Sequence, residues 1–109
     1  MCLIGSVENK DVIILDDIAD TFGTLVEAAN ILEKNGARTI TAAVIHAILS
    51  NRAIENLIES SISTFLFTNT VPISKNMKNF SSIDGELKLI QIDISNFLGE
   101  CIQILSSRC

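Results

Sequence analysis

Positive charge is scarce in this chain. Its 109 residues carry 8 Lys and Arg against 13 Asp and Glu, a net charge of -5. A surface that tracks nucleic acid needs a basic patch to displace counterions from phosphates, so the scatter of cations argues against a nucleic-acid partner. Histidine and cysteine are nearly as sparse. The single His and the three Cys, at positions 2, 101 and 109, form no Cys-x-x-Cys pair and no zinc-ligand spacing. An odd cysteine count suits a reducing compartment better than a disulfide framework. Long apolar runs are missing too. Ile40 to Leu49 is about half the roughly 20 residues needed to span a bilayer, and it contains Thr41 and His46. No charged amino-terminal region leads into an apolar stretch, as a secretory signal would require. The expectation is a soluble cytoplasmic protein with no membrane partner, and with no internal repeat or low-complexity tract.

What is present is apolar material, 48% of the residues, enough for the core of one domain. Its periodicity alternates. Val12 to Leu15 read as a buried strand. Leu25, Ala28, Ala29, Ile31 and Leu32 recur at helical spacing, which predicts a helix over 24–34 ended by Asn35-Gly36. Ile40 to Ile45 is β-branched and apolar on both faces, as parallel strands usually are. Ala53 to Ile58 traces a short helix, Thr64 to Thr68 a third strand and Leu87 to Ile92 a fourth. Pro72 to Gly85 forms a polar loop. Ser95 is placed to cap a last helix with an apolar stripe of Phe97, Leu98, Ile102 and Leu105. The alternation predicts an α/β fold, a mostly parallel sheet with flanking helices joined by right-handed crossovers.

The segment Asp11 to Thr24, DVIILDDIADTFGT, carries the chemistry. An apolar strand stops at Asp16 and Asp17 and enters a turn containing Gly and Thr before the first helix. In open α/β sheets ligands bind at the carboxyl ends of strands. Helix-opening N–H groups and the hydroxyls of Thr21 and Thr24 suit phosphate oxygens, and Gly23 lets the backbone approach an anion. Carboxylates accept only, so the partners of Asp16 and Asp17 are ribose hydroxyls or a Mg²⁺ ion beside a diphosphate. The plainer alternative is that these Asp residues cap the helix.

The same segment resembles the sugar-phosphate loop of ribose-phosphate pyrophosphokinases, the phosphoribosyl pyrophosphate synthetases. That family has two Asp, two other residues, then Asp-Thr-small-Gly-Thr. Here these are Asp16, Asp17, Ile18, Ala19, Asp20, Thr21, Phe22, Gly23 and Thr24. Leu3-Ile4-Gly5, Thr68-Asn69-Thr70-Val71-Pro72 and Asp93-Ile94-Ser95 extend the likeness over nearly the whole chain. The resemblance implies the carboxyl-terminal part of a longer enzyme, an incomplete phosphoribosyltransferase-like domain over 1–109. It implies Asp20, Thr21, Phe22, Gly23 and Thr24 as the ribose 5-phosphate loop, with Asp16 and Asp17 orienting ribose hydroxyls and metal-bound diphosphate. Mg²⁺ is the implied cofactor. Ribose 5-phosphate or phosphoribosyl pyrophosphate is the implied ligand, with ATP bound only by a missing half. Homo- or hetero-oligomers with synthetase subunits are implied as well. The alternatives are a non-catalytic synthetase-associated subunit or a truncated remnant.

Several residues depart from that pattern. Phe22 stands where the family has a small residue, so that either it faces solvent or it hinders phosphate. His46 is retained, but Ala47 replaces Gly, which would cost on the order of 1 kcal/mol if that position held a positive φ. Asn51 also replaces Gly in a turn. A lone His without a nearby partner reads as a structural residue more readily than a catalytic one. Thr68, Asn69 and Thr70 read as a turn whose side chains bond local backbone.

Overall fold

A computed structural model describes residues 5–50, 52–72 and 87–107. Four strands, β1 (Asp11–Ala19), β2 (Thr39–Ala47), β3 (Thr64–Thr68) and β4 (Lys88–Ile92), form one sheet in the order β1-β2-β3-β4, each pair parallel. Helix α1 (Gly23–Lys34) joins β1 to β2, α2 (Ala53–Ile58) joins β2 to β3, and α3 (Ser95–Ser107) follows β4. This is the expected parallel α/β arrangement. The polar loop expected over Pro72 to Gly85 lies, beyond Pro72 itself, outside the described residues, as do Leu3, Ile4 and Asn51.

Strand order explains which face is buried. Successive strands lie side by side in one direction, so right-handed crossovers put α1 and α2 on the same face. Against that face lie the alternate residues Ile40, Ala42 and Val44 of β2 and Phe65 and Phe67 of β3. Leu25, Ala29 and Leu32 of α1 and Ala53, Ile54 and Leu57 of α2 close over them. Phe65 and Leu57 are completely buried, each stabilising the fold by about 1.5–3 kcal/mol through burial alone. Gly36 ends the α1 connection in the left-handed region (φ 88°), as Asn35-Gly36 predicts, and the Ala37 N–H donates back to the Leu32 carbonyl at 3.1 Å.

The opposite face has no covering layer among the described residues, and here the strand readings need correction. Val12 to Leu15 is not a buried strand. Val12 and Ile14 turn toward the core, whereas Ile13 is 63% and Leu15 79% exposed. Ile45 of β2 is likewise exposed, so β2 is buried on one face only. The period-two pattern of a half-covered sheet was masked because these strands carry apolar residues on both sides.

The last helix also departs from expectation at both its start and its face. Its cap is Asp93 rather than Ser95: an Asp93 carboxylate oxygen accepts the Ser95 N–H at 2.8 Å. Hydrogen bonds from the Ser95 side chain and backbone, then from Asn69, hold the Asp93 carboxyl below the ordinary carboxylate range. The stripe of Phe97, Leu98, Ile102 and Leu105 forms as predicted, yet no residue of α3 is buried.

Candidate functional site

The turn after β1 is built around a residue that the sequence reading treated as an obstacle. Phe22 adopts φ 69°, the left-handed region disfavoured for a bulky side chain, at about 1–2 kcal/mol. That geometry turns its ring inward. Phe22 is 2% exposed and meets Phe65 edge to face at 4.9 Å between ring centroids. It neither faces solvent nor fills the cleft. Gly23 does not carry the positive φ, and a Cβ there would meet Thr21 Oγ1 at an ordinary 3.6 Å.

With the side chain turned in, the backbone turns out. Phe22 is the residue before the first helical position, its carbonyl accepts the Val26 N–H at 2.8 Å, and no carboxylate accepts a helix-opening N–H. The capping alternative for Asp16, Asp17 and Asp20 is therefore overturned. Thr21 Oγ1 takes the Gly23 N–H in a long 3.4 Å contact. The N–H groups of Thr21, Phe22, Thr24 and Leu25 meet no acceptor among the described residues. They open on a cleft of about 160 Å³ lined by Asp16 and by Ile18 through Leu25, at the positive end of the α1 dipole.

The three aspartates separate. Asp16 and Asp17 lie within β1 rather than beyond its end, since the strand runs on to Ala19. Asp16 lines the loop cleft, and its Oδ1 accepts the Asp17 N–H at 2.8 Å. Asp17 lies outside that cleft, on the rim of an apolar hollow on the open sheet face that Asp16 also borders. A side-chain hydrogen bond with Asp16, then the N–H groups of Asp17 and Ile18, hold the Asp17 carboxyl below its ordinary range, with a smaller contribution from His46. It is ionised at neutral pH. Two exposed carboxylates side by side suit a Mg²⁺ ion that keeps most of its shell for water and phosphate oxygens. Asp20 reaches sideways: its Oδ1 accepts from both the hydroxyl and the N–H of Ser50, tying the turn after β1 to the turn after β2.

That second turn carries a signal the sequence hid. Leu49, not Ala47, takes the positive φ (58°), with its side chain 3% exposed, while Ala47 sits within β2 and pays no such cost. The N–H groups of Ile48 and Leu49 both donate to the Ala19 carbonyl, at 3.0 and 3.2 Å. His46 has a partner after all: its Nδ1 lies 2.7 Å from Thr70 Oγ1. The Thr70 and Thr68 hydroxyls both donate to the Ile45 carbonyl, and Asn69 accepts the Ile94 N–H and donates to Asp93. Thr68, Asn69 and Thr70 thus bind together the carboxyl rim of the sheet; the local bonding that the turn reading expects is met by the Thr70 N–H on Thr68 Oγ1, while the other bonds reach across to neighbouring elements. The sequence of Leu49-Ser50-Asn51 points to a turn with Asn51 as its left-handed residue; a hydrophobic residue in a left-handed turn, as at Leu49, has no sequence signature.

Comparison with known proteins identifies relatives of the chain. A family model described as "Phosphoribosyl synthetase-associated domain" matches residues 1–108. Ribose-phosphate pyrophosphokinase 3 of Saccharomyces cerevisiae is 46% identical over 105 residues, 96% of this chain and 31% of the yeast protein. Ribose-phosphate pyrophosphokinase of Coxiella burnetii is 33% identical over 108 residues, 99% of this chain and 32% of that protein. The crystal structure of phosphoribosylpyrophosphate synthetase from Mycobacterium smegmatis superposes with a TM-score of 0.83 at 29% identity, covering 97% of this chain and 33% of that one. The chain thus spans about a third of the length of these relatives. It belongs to the phosphoribosyl synthetase-associated domain family.

Proposed function

We propose that this chain is the ribose 5-phosphate-binding part of a ribose-phosphate pyrophosphokinase, corresponding to the carboxyl-terminal part of such an enzyme. The single observation that carries the reading is the turn before α1, whose free N–H groups open on a cleft that the Asp16 carboxylate borders. Residues 1–109 form one phosphoribosyltransferase-like domain, incomplete by itself and cytoplasmic. The free amides of Phe22 and Thr24, in the turn that Gly23 closes, with the hydroxyls of Thr21 and Thr24 hold the 5-phosphate. Asp16 and Asp17 accept hydrogen bonds from the ribose hydroxyls, and Asp20 fixes the turn through Ser50.

Magnesium, when bound, neutralises diphosphate charge, and Asp16 and Asp17 are the residues that would hold it. The chain's own share of catalysis is positioning. Fixing the ribose in line with an incoming diphosphate converts a bimolecular encounter into an oriented one. ATP binds only with residues from the rest of such an enzyme, so the isolated chain binds ribose 5-phosphate weakly and makes no product.

Calorimetric titration of the purified chain with ribose 5-phosphate, with and without Mg²⁺, tests this. Saturable binding that Thr24→Val abolishes while the circular dichroism spectrum stays unchanged is the expected result. No binding at millimolar ligand, or synthesis of phosphoribosyl pyrophosphate by the pure chain, would overturn it. A second reading, a non-catalytic subunit that associates with synthetase chains, draws on the uncovered apolar face of the sheet. Co-purification with a full-length synthetase without any ligand response would favour it.

A further inference from the structure

Three consecutive residues of the turn after β1 are each held by the connection that follows β2. The Ala19 carbonyl accepts the Ile48 and Leu49 N–H groups, the Asp20 carboxylate accepts from Ser50, and the Thr21 carbonyl accepts Asn56 Nδ2 at 2.9 Å. The third bond differs from the others in its source. It comes from α2, whose Ala53, Ile54 and Leu57 are buried in the core, so half-buried Asn56 projects from an element fixed by packing. Asn56 stands 35 residues along the chain from Thr21, and no motif in the sequence joins them.

The bond matters through the geometry of one peptide. A trans peptide points its C=O and its N–H in opposite directions. The Thr21 carbonyl and the Phe22 N–H belong to the same unit, so a donor that holds the carbonyl on the α2 side turns the N–H away from α2. Phe22 lines the cleft, and because its ring packs inward on Phe65, what it presents there is backbone. Burial of the ring fixes the path of the turn but not the plane of this peptide. Rotating that plane by half a turn leaves both flanking Cα atoms nearly in place and takes the Phe22 φ from 69° into the ordinary negative range. The rotated peptide would aim its carbonyl at the cleft and repel an anion. Asn56 opposes that rotation by donating to the carbonyl where it stands.

We propose that Asn56 is a positioning residue for the anion site, holding the Thr21–Phe22 peptide so that the Phe22 N–H donates into the cleft. It touches no ligand and acts through the Thr21 carbonyl alone. The inference rests on the reading of this cleft as a sugar-phosphate site, and it adds the reason why a strained turn keeps its donor outward. Preorganisation of this kind spares the ligand the cost of turning the peptide itself.

Titration of the whole ¹⁵N-labelled chain with ribose 5-phosphate, followed by NMR of its backbone amides, tests it. In the parent, the Phe22 and Thr24 resonances both move to saturation. Asn56→Leu keeps the shape of the side chain without its donor. It should raise the dissociation constant about tenfold, the weight of one hydrogen bond to a charged group, and leave the Phe22 resonance still while Thr24 continues to move. Asn56→Gln, which keeps a donating amide, should restore the Phe22 response. Leu and Gln both favour a helix more than Asn does, so α2 is not weakened by either change. A role confined to holding α2 predicts a lower urea midpoint with the dissociation constant and the Phe22 response unchanged, and that result overturns the proposal. A Gln variant no better than the Leu variant overturns it too. A parent in which neither amide responds refutes the sugar-phosphate reading and this inference together, whereas a responsive parent matched by Asn56→Leu refutes this inference alone.

Discussion

Replacing Phe22 tests the unusual backbone of the turn directly. The Phe22 side chain is 2% exposed with its ring edge on Phe65, so Phe22→Ala removes a buried aromatic and should cost about 3–5 kcal/mol, of which about 0.5–1.5 belongs to the ring pair. The left-handed φ of 69° remains a liability in the alanine variant, since any Cβ suffers it. Phe22→Gly deletes the same side chain but relieves that conflict by about 1 kcal/mol. In most contexts glycine is worse than alanine by roughly 0.5–1 kcal/mol, so the predicted order is inverted. Urea unfolding followed by circular dichroism gives both values from midpoints at a common slope. A domain of this size has about 5–15 kcal/mol in hand, so both variants are measurable if stability lies in the upper part of that range. If they are not, comparing Phe22→Ala and Phe22→Gly in the presence of a stabilising osmolyte preserves the order. A glycine variant less stable than the alanine variant would refute the left-handed turn, and with it the outward-facing amides on which the phosphate reading rests.

Other expectations follow from single contacts. Hydrogen bonds from Arg38 and then Thr39 lower the Asp11 carboxyl from 3.8 to about 2. The folded value lies below the unfolded one, so this contribution is complete above pH 3.8 and is lost as pH falls toward 2. Urea midpoints taken down that range should drop less steeply in Asp11→Asn, and parallel curves would contradict the pairing. Gly23→Ala should stabilise by about 0.4–1 kcal/mol, because φ is ordinary there and the added Cβ meets only Thr21 Oγ1 at 3.6 Å; a lower melting temperature would count against the turn as described. Asp20→Ala should cost about 1 kcal/mol by leaving the Ser50 donors without a partner, whereas Asp20→Asn, which keeps an acceptor oxygen, should cost less. Equal losses in chemical denaturation would show that charge, not acceptance, links the two turns.

Much of the architecture was legible because its signals are local. The β3 limits and the extent of α2 follow from apolar runs bounded by polar residues, and the family was recognisable because Asp16, Asp17, Asp20, Thr21, Gly23 and Thr24 resemble a known family's motif. The remainder depends on contacts distant in sequence. Whether Leu15 is buried is decided by a layer that the strand itself does not encode, and an apolar residue looks the same whether its cover is present or absent. The choice of Asp93 over Ser95 as the cap rests on Asn69, 24 residues away in sequence, holding the same carboxylate. His46 looked solitary for a similar reason, since Thr70 is 24 residues distant along the chain.

Backbone strain gathers at the rim where ligands bind in α/β sheets, and its distribution there has a physical logic. Phe22 and Leu49 each accept a positive φ, at 69° and 58°, and each buries its side chain. A left-handed residue at a strand's end sends the side chain back under the sheet and lets the following amides point away from the core. Glycine could make the same bend more cheaply, but it would bury nothing and would leave the turn free to take other shapes. A bulky residue spends about 1–2 kcal/mol on conformation and recovers about 1.5–3 from burial, so the bend is fixed by packing rather than merely permitted. The turn after β1 is then rigid before any anion arrives, and binding does not have to order it. Asp20 carries the same rigidity across to Ser50, so the two strained turns brace each other. A large residue at this position therefore anchors the turn proposed to hold phosphate from beneath rather than blocking its cleft from above.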